Sequence, residues 1–214
     1  MRALKEFCKT AIASARVILK RLVQIDRVSI GSLIDLNKWV LYGWTPGEMP
    51  AFKVRADLGI RKMSREDLFT LTCGNGRFAE QARLYYAKRG IDTAYGVYMD
   101  KELVHMSWVY TAAEYATEPF QRLSLKDREV EIVNCFTLDK CRGLGIYPYM
   151  IRFVSNLQFQ NGVERVYMMA DHKNHASQRG IIKAGLKRLG RVIYMRVPAS
   201  SNKSIYYRRH QGNI

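Results

Sequence analysis

Thr137-Leu138-Asp139-Lys140-Cys141-Arg142-Gly143-Leu144-Gly145-Ile146 is the stretch on which the reading of this chain turns. Before it, Glu129 to Leu138 is rich in β-forming residues and reads as a strand. After it, Ile146 to Gln160 reads as a helix, with Pro148 tolerated in the first turn and Asn161-Gly162 as the stop. Residues 139–145 are therefore a basic, glycine-bearing loop that opens a helix. The first N–H groups of a helix have no intrahelical partner and carry the positive end of its dipole, so an anion is stabilised there. Gly143 and Gly145 lack Cβ, which lets a bulky phosphate approach the backbone and permits φ > 0. Lys140 and Arg142 add charge. No Gly-Lys-Ser/Thr follows and the three-glycine dinucleotide fingerprint is absent, which excludes both of those phosphate loops.

Downstream, Glu164 to Ala170 reads as a strand. His175 to Ala184 reads as a short helix capped by Asn174 and closed by Gly185, and Lys187 to Val197 as a strand with one more at Ser204 to Arg208. Upstream, Ile30 to Trp44 is an extended segment ending at the turn-rich residues 43–47, and Phe52 to Ile60 alternates as a strand. Ser64 caps a helix, with Asp67 three residues on as a variant capping box, and the helix breaks at Gly74-Asn75-Gly76. Residues 94–99 and 102–110 flank the two-residue turn Asp100-Lys101 and predict a hairpin. The order strand, helices, hairpin, strand, helix, strand, helix, strand is an α/β fold with a parallel crossover over residues 129–170.

The chain has 214 residues, which suits one domain with an extension: residues 1–45 as an N-terminal extension packed on the domain, and 46–214 as the domain. Thirty-five Lys and Arg against nineteen Asp and Glu give a formal charge of +16. Such a chain attracts polyanions and repels cationic acceptors. Residues 1–25 read as a basic amphipathic helix, whose stripe packs on the domain or on a second subunit, so that a homodimer is one outcome. Its basic face also suits peripheral contact with an anionic membrane. No run of 18 apolar residues and no signal-peptide core is present. Four cysteines without CxxC or zinc-like spacing read as reduced thiols in a cytoplasmic protein with no metal site.

Lys140-x-x-Gly143-x-Gly145 resembles the Q/R-x-x-G-x-G/A signature of the GNAT superfamily of acyl-CoA N-acyltransferases, with Lys in the first position. Asn174, Ser177 and Gly185-Leu186 are similar in spacing to the family's second half. The similarity is clearest over residues 129–196, reaches weakly back to 52, and leaves residues 1–45 outside. It implies a mixed, centrally splayed sheet flanked by helices, with acetyl-CoA as acyl donor lying in the splay. Phe136, Thr137 and Leu138 would then contact the pantetheine arm. Lys140, Arg142, Gly143, Leu144, Gly145, Ile146 and Tyr147 would hold the pyrophosphate, and Asn174 and Ser177 would approach the arm. Residues 135–137 with 142–149 also look similar, more weakly, to bacterial sugar-modifying members.

The reaction so implied is attack of an amine on a thioester within a ternary complex. An α-amino group has a pKa of about 7.7–8.0 and must lose a proton, so a general base helps. Glu131 on the central strand and His172 and His175 flanking Asn174 are the candidates. The family's usual tyrosine acid falls at Ile181 and is absent. Cys135 reads as an apolar filler rather than a nucleophile. Residues 172–214 hold ten Lys and Arg and no Asp or Glu, which favours an anionic acceptor such as a nucleotide-linked amino sugar. The segments 111–128 and 32–50 are the expected acceptor walls. The other readings are a GNAT enzyme with a different amine acceptor and a non-enzymatic nucleic-acid-binding protein, although no specific nucleic-acid motif is visible.

Overall fold

The computed structural model describes residues 35–51, 53–116, 123–196 and 205–210. The helix expected over residues 1–25 and the centre of the 111–128 wall lie outside them. The chain divides into two compact units, a larger one of Lys38–Val192 with Arg208–Ile214 and a smaller one of Met1–Asn37 with Ile193–Tyr207. Of the smaller unit, the described residues are the extended ends of β1 (Asp35–Trp44), β7 (Lys187–Arg196) and β8 (Ile205–His210). The larger unit opens at Lys38, inside the stretch that the sequence reading sets aside as an extension. In it, residues 39–44 of β1 pair with residues 166–171, and Val40, Leu41, Tyr42 and Trp44 are buried.

The larger unit is a mixed α/β layer structure. Its sheet runs β2 (Gly59–Lys62), β3 (Ala94–Met99), β4 (Glu102–Thr111), β5 (Glu129–Thr137), β6 (Arg165–Asp171), β1, β7. All of the pairings whose register is described are antiparallel except β5–β6, which is parallel and joined by the crossover helix α4 (Ile146–Gln160). The helices α1 (Arg65–Thr72) and α2 (Arg77–Ala82, continuing as a π turn to Ala87) precede the β3–β4 hairpin, a short α3 (Ala112–Ala116) follows it, and α5 (His175–Ala184) follows β6.

Local rules account for most boundaries. The Ser64 hydroxyl accepts from the Asp67 N–H at 3.0 Å, and Asp67 accepts from the Ser64 N–H at 2.8 Å, so the capping box closes. Asp100 and Lys101 both have positive φ, 50° and 68°, as a type I′ hairpin turn requires. The strand expected over 52–60 is confined to Gly59–Lys62. Ahead of it Arg55 closes on Asp57, and its own N–H donates to the Tyr149 hydroxyl at 2.9 Å instead of to a ladder.

Two apolar layers flank the sheet. On one face Val109, Val130, Ile132, Val166 and Met168 pack with Met150, Ile151 and Val154 of α4. On the other, Tyr85 stacks on Trp108 at 5.0 Å between ring centroids, Phe78 meets Phe136 edge-on, and Trp108 Nε1 donates to Gln81. Among the described residues no helix is long and apolar enough to cross a membrane.

Candidate functional site

Strands β5 and β6 pair only over Glu129–Ile132 with Arg165–Met168. Beyond that point β6 continues on β1, while β5 continues on β4, so the two central strands part. A bulge in β5 lies at the same place. Trp108 faces Val133 and Met106 faces Phe136, leaving Asn134 and Cys135 against Ser107 alone. Asn134 takes φ 48°, a left-handed conformation that asparagine tolerates better than most residues. The extra residue switches the alternation, so that Cys135 and Thr137 project to the α4 face, where the strand's earlier even-numbered residues project.

A cleft of about 660 Å³ opens there. Its walls are the end of β5 at Cys135, Phe136 and Thr137, the loop and first turn at Arg142, Gly143, Gly145, Ile146 and Tyr147, and Asn174, Ser177, Arg179, Gly180 and Lys183 of α5 and its cap. Gly143 and Gly145 have φ of 85° and 73°, and a Cβ added to Gly143 would meet no atom within 4 Å. The loop is held from outside: the Arg55 guanidinium donates to the Leu144 carbonyl at 2.8 Å. The first helical bond of α4 runs from the Tyr149 N–H to the Gly145 carbonyl, so the N–H groups of Ile146 and Tyr147 have no intrahelical acceptor, and Pro148 carries none. The lining includes three cationic side chains and no carboxylate. This combination is electrostatically suited to a polyanion.

The sequence-derived candidates divide by position. Phe136, Thr137, Arg142, Gly143, Gly145, Ile146, Tyr147, Asn174 and Ser177 line the cleft. Leu138, Lys140 and Leu144 do not. Leu138 gives its N–H to the Val104 carbonyl at 2.9 Å, Lys140 is turned to Glu102 at 2.6 Å, and Leu144 is exposed on the outer side of the loop. Arg142 pairs with Asp139 at 2.8 Å. Asn174 also caps α5, its Oδ1 accepting from the Ser177 N–H at 3.0 Å. Glu131 is buried in β5 one residue before the end of the β5–β6 ladder, opposite Tyr110 and Tyr167. His172 and His175 are exposed and lie off the cleft wall, with His172 Nδ1 3.1 Å from the Lys38 carbonyl. Ile181 is fully buried in the core.

Behind the cleft runs a polar cluster that sequence reasoning misses. His105, fully buried on β4, lies 2.6 Å from Thr137 Oγ1 through Nδ1 and 2.7 Å from Ser107 Oγ through Nε2. Burial pushes its pKa down to about 3, so the ring is neutral. Cys135, hydrogen-bonded toward Ser107 and Tyr147, has its thiol pushed up to about 12 by burial. The Tyr147 hydroxyl lies 3.1 Å from Ser177 Oγ, and its ring is 5.9 Å from that of His105. The ring packs on Gly180, where an added Cβ would come within 2.4 Å of Tyr147 Cδ1. His105 and Ser107 share a strand face two residues apart, a readable signal, but the register that sets Thr137 opposite His105 is not local.

No family model matches this chain, and no curated protein matches it in sequence. Solved structures match in fold. An acetyltransferase of the GNAT family from Colwellia psychrerythraea aligns with a TM-score of 0.53 at 13% identity over 75% of this chain and 55% of its own. A glucosamine N-acetyltransferase region of a fungal multi-domain GH3 β-N-acetylglucosaminidase aligns with a TM-score of 0.54 at 14% identity, over 74% of this chain and 20% of its own. AAC(6′)-Ib, in complex with ribostamycin and coenzyme A, aligns with a TM-score of 0.51 at 16% identity, over 72% and 94%. This chain thus spans little more than half the length of the Colwellia protein.

Proposed function

The chain has the fold of the GNAT N-acetyltransferases, and on that premise we propose that it moves an acetyl group from acetyl-CoA to the amine of a small anionic acceptor, best represented by a nucleotide-linked amino sugar. The observation that carries this reading is the cleft itself. It sets a glycine loop with left-handed φ, a helix N-terminus and three cations at one end, and the parted strands β5 and β6 at the other. The pyrophosphate would lie on residues 142–147, where free N–H groups and the helix dipole stabilise it. The pantetheine amides would bond to the edge of β5 that β6 leaves open. One solved neighbour holds coenzyme A, which supports the donor.

The amine attacks the thioester carbonyl directly, and a strand N–H facing the gap polarises that carbonyl. Of the three candidate bases, Glu131 is the one we assign to the amine's proton, because it stands where the two strands part. Cys135, whose thiol burial keeps protonated, serves no nucleophilic step. The acceptor class rests on charge: residues 172–214 carry ten cations and no carboxylate, and one neighbour is a glucosamine N-acetyltransferase region. Measuring kcat/KM for a nucleoside-diphosphate amino sugar, the free amino sugar and spermidine at low and high salt tests it. The nucleotide sugar is expected to be preferred at low salt, with the preference shrinking as salt rises. Equal turnover of spermidine would remove the electrostatic basis for the acceptor.

A further inference from the structure

Resting on the acyl-transfer reading above, we infer that Arg55 is a positioning residue for the donor: without touching it, the guanidinium sets the plane of the Leu144–Gly145 peptide and so aims the Gly145 N–H at the pyrophosphate. Arg55 is not among the residues that line the cleft. It stands on the outer side of the loop, where Nη1 donates to the Leu144 carbonyl at 2.8 Å, and among the described residues no other donor reaches that carbonyl. The peptide is trans and planar, so its C=O and N–H point opposite ways. A carbonyl drawn out to Arg55 therefore turns the Gly145 N–H away from Arg55. That N–H has no acceptor among the described residues, and Gly145 lines the cleft.

The loop itself holds this plane weakly. Leu144 lies between two glycines of left-handed φ, and its own side chain is exposed. Glycine takes either sign of φ about as readily, so the peptide can turn over at small cost. Turned over, it would aim a carbonyl oxygen at the phosphates in place of an N–H. Arg55 is in turn fixed from three sides. Asp57 accepts from Nε at 3.1 Å and from Nη2 at 2.5 Å, the Arg55 N–H donates to the Tyr149 hydroxyl at 2.9 Å, and the guanidinium lies 5.7 Å from the centroid of the Tyr149 ring. One planar fork thus serves a carboxylate and a carbonyl at once, a geometry that a lysine ammonium does not reproduce. Because Asp57 already matches the Arg55 charge, what Arg55 adds to the donor site is direction rather than field.

The test is calorimetric titration of acetyl-CoA into the wild-type chain, Arg55→Met and Asp57→Asn, with the Gly145 amide resonance followed in chain labelled with ¹⁵N-glycine. Arg55→Met keeps an apolar stem over Tyr149 and removes the fork, and binding is expected to weaken at least about fivefold. Asp57→Asn makes the chain more positive yet frees the guanidinium, and binding is expected to weaken at least about threefold. A purely electrostatic role for this pair predicts the opposite sign for Asp57→Asn. The ion pair is partly exposed and adds little stability, so the Tm of the ligand-free chain should hardly move. Acetyl-CoA should shift the Gly145 amide proton downfield in the wild-type chain and leave it near its ligand-free position in Arg55→Met, which a merely structural role would not do. Asp57→Asn carries the test if Arg55→Met does not fold. Wild-type chain that binds no acetyl-CoA overturns the acyl-transfer reading and this one with it. Wild-type chain that binds, with smaller losses than these in the variants or tighter binding in Asp57→Asn, overturns only the role of Arg55. A Gly145 amide that acetyl-CoA leaves unmoved in the wild-type chain does the same.

Discussion

Gly143 is the residue on which the proposed donor site depends most. Its φ of 85° is costly for any side chain and worst for a branched one, and its missing Cβ would meet open space rather than protein. Gly143→Val is therefore expected to weaken acetyl-CoA binding at least tenfold while the Tm of the ligand-free chain falls only slightly. Calorimetric titration beside a thermal melt measures both, and wild-type affinity in the variant would place the pyrophosphate elsewhere. His105 makes a second prediction at this scale. Its pKa is about 3 in the fold against an ordinary 6.5, so the unfolded chain binds the extra proton between those values. Stability from the neutral ring is complete above about pH 6.5 and is lost as pH falls, at up to about 1.4 kcal/mol per pH unit for a single proton. Urea midpoints measured from pH 7 down to 4 should drop accordingly, and His105→Gln should flatten that slope. The loop glycines were legible because their chemistry is local. The burial of His105 was not, since it depends on a strand pairing set 32 residues away.

At the scale of elements, most boundaries followed from residues that satisfy or break backbone hydrogen bonds. Helix α4 begins and ends where Gly145-Ile146 and Asn161-Gly162 dictate, and Asn174 and Gly185 bracket α5. Ser64→Ala removes one half of a closed capping box and is expected to cost about 1 kcal/mol, read as a lower urea midpoint. The strand expected over residues 52–60 failed for a tertiary reason. Arg55 turns its N–H to Tyr149 and its guanidinium to Leu144, so that segment braces the glycine loop instead of extending the sheet. The bulge at Asn134 was equally invisible, because alternation alone cannot say where a strand gains a residue. Cys135, which that bulge turns toward the cleft, is predicted to be dispensable. Cys135→Ala should keep most of the activity with sequential kinetics, and an acetyl-cysteine trapped on the wild-type chain would contradict this.

Over the whole molecule, charge and topology point the same way. A chain of formal charge +16 places its only parallel strand junction among the described pairings beside a cleft whose lining holds three cations and no carboxylate. Composition alone favours a polyanionic ligand; the parted strands supply the place and the direction that the proposed ligand would take. The most direct measurement is calorimetric titration of the wild-type chain with acetyl-CoA at low and high salt, accompanied by the thermal shift. A ligand that binds only the folded chain raises its Tm with concentration. The account predicts one site per chain, a Tm that rises with acetyl-CoA, affinity that weakens as salt screens the cations, and loss of binding in Gly143→Val. No heat and no change in Tm at millimolar acetyl-CoA would contradict it.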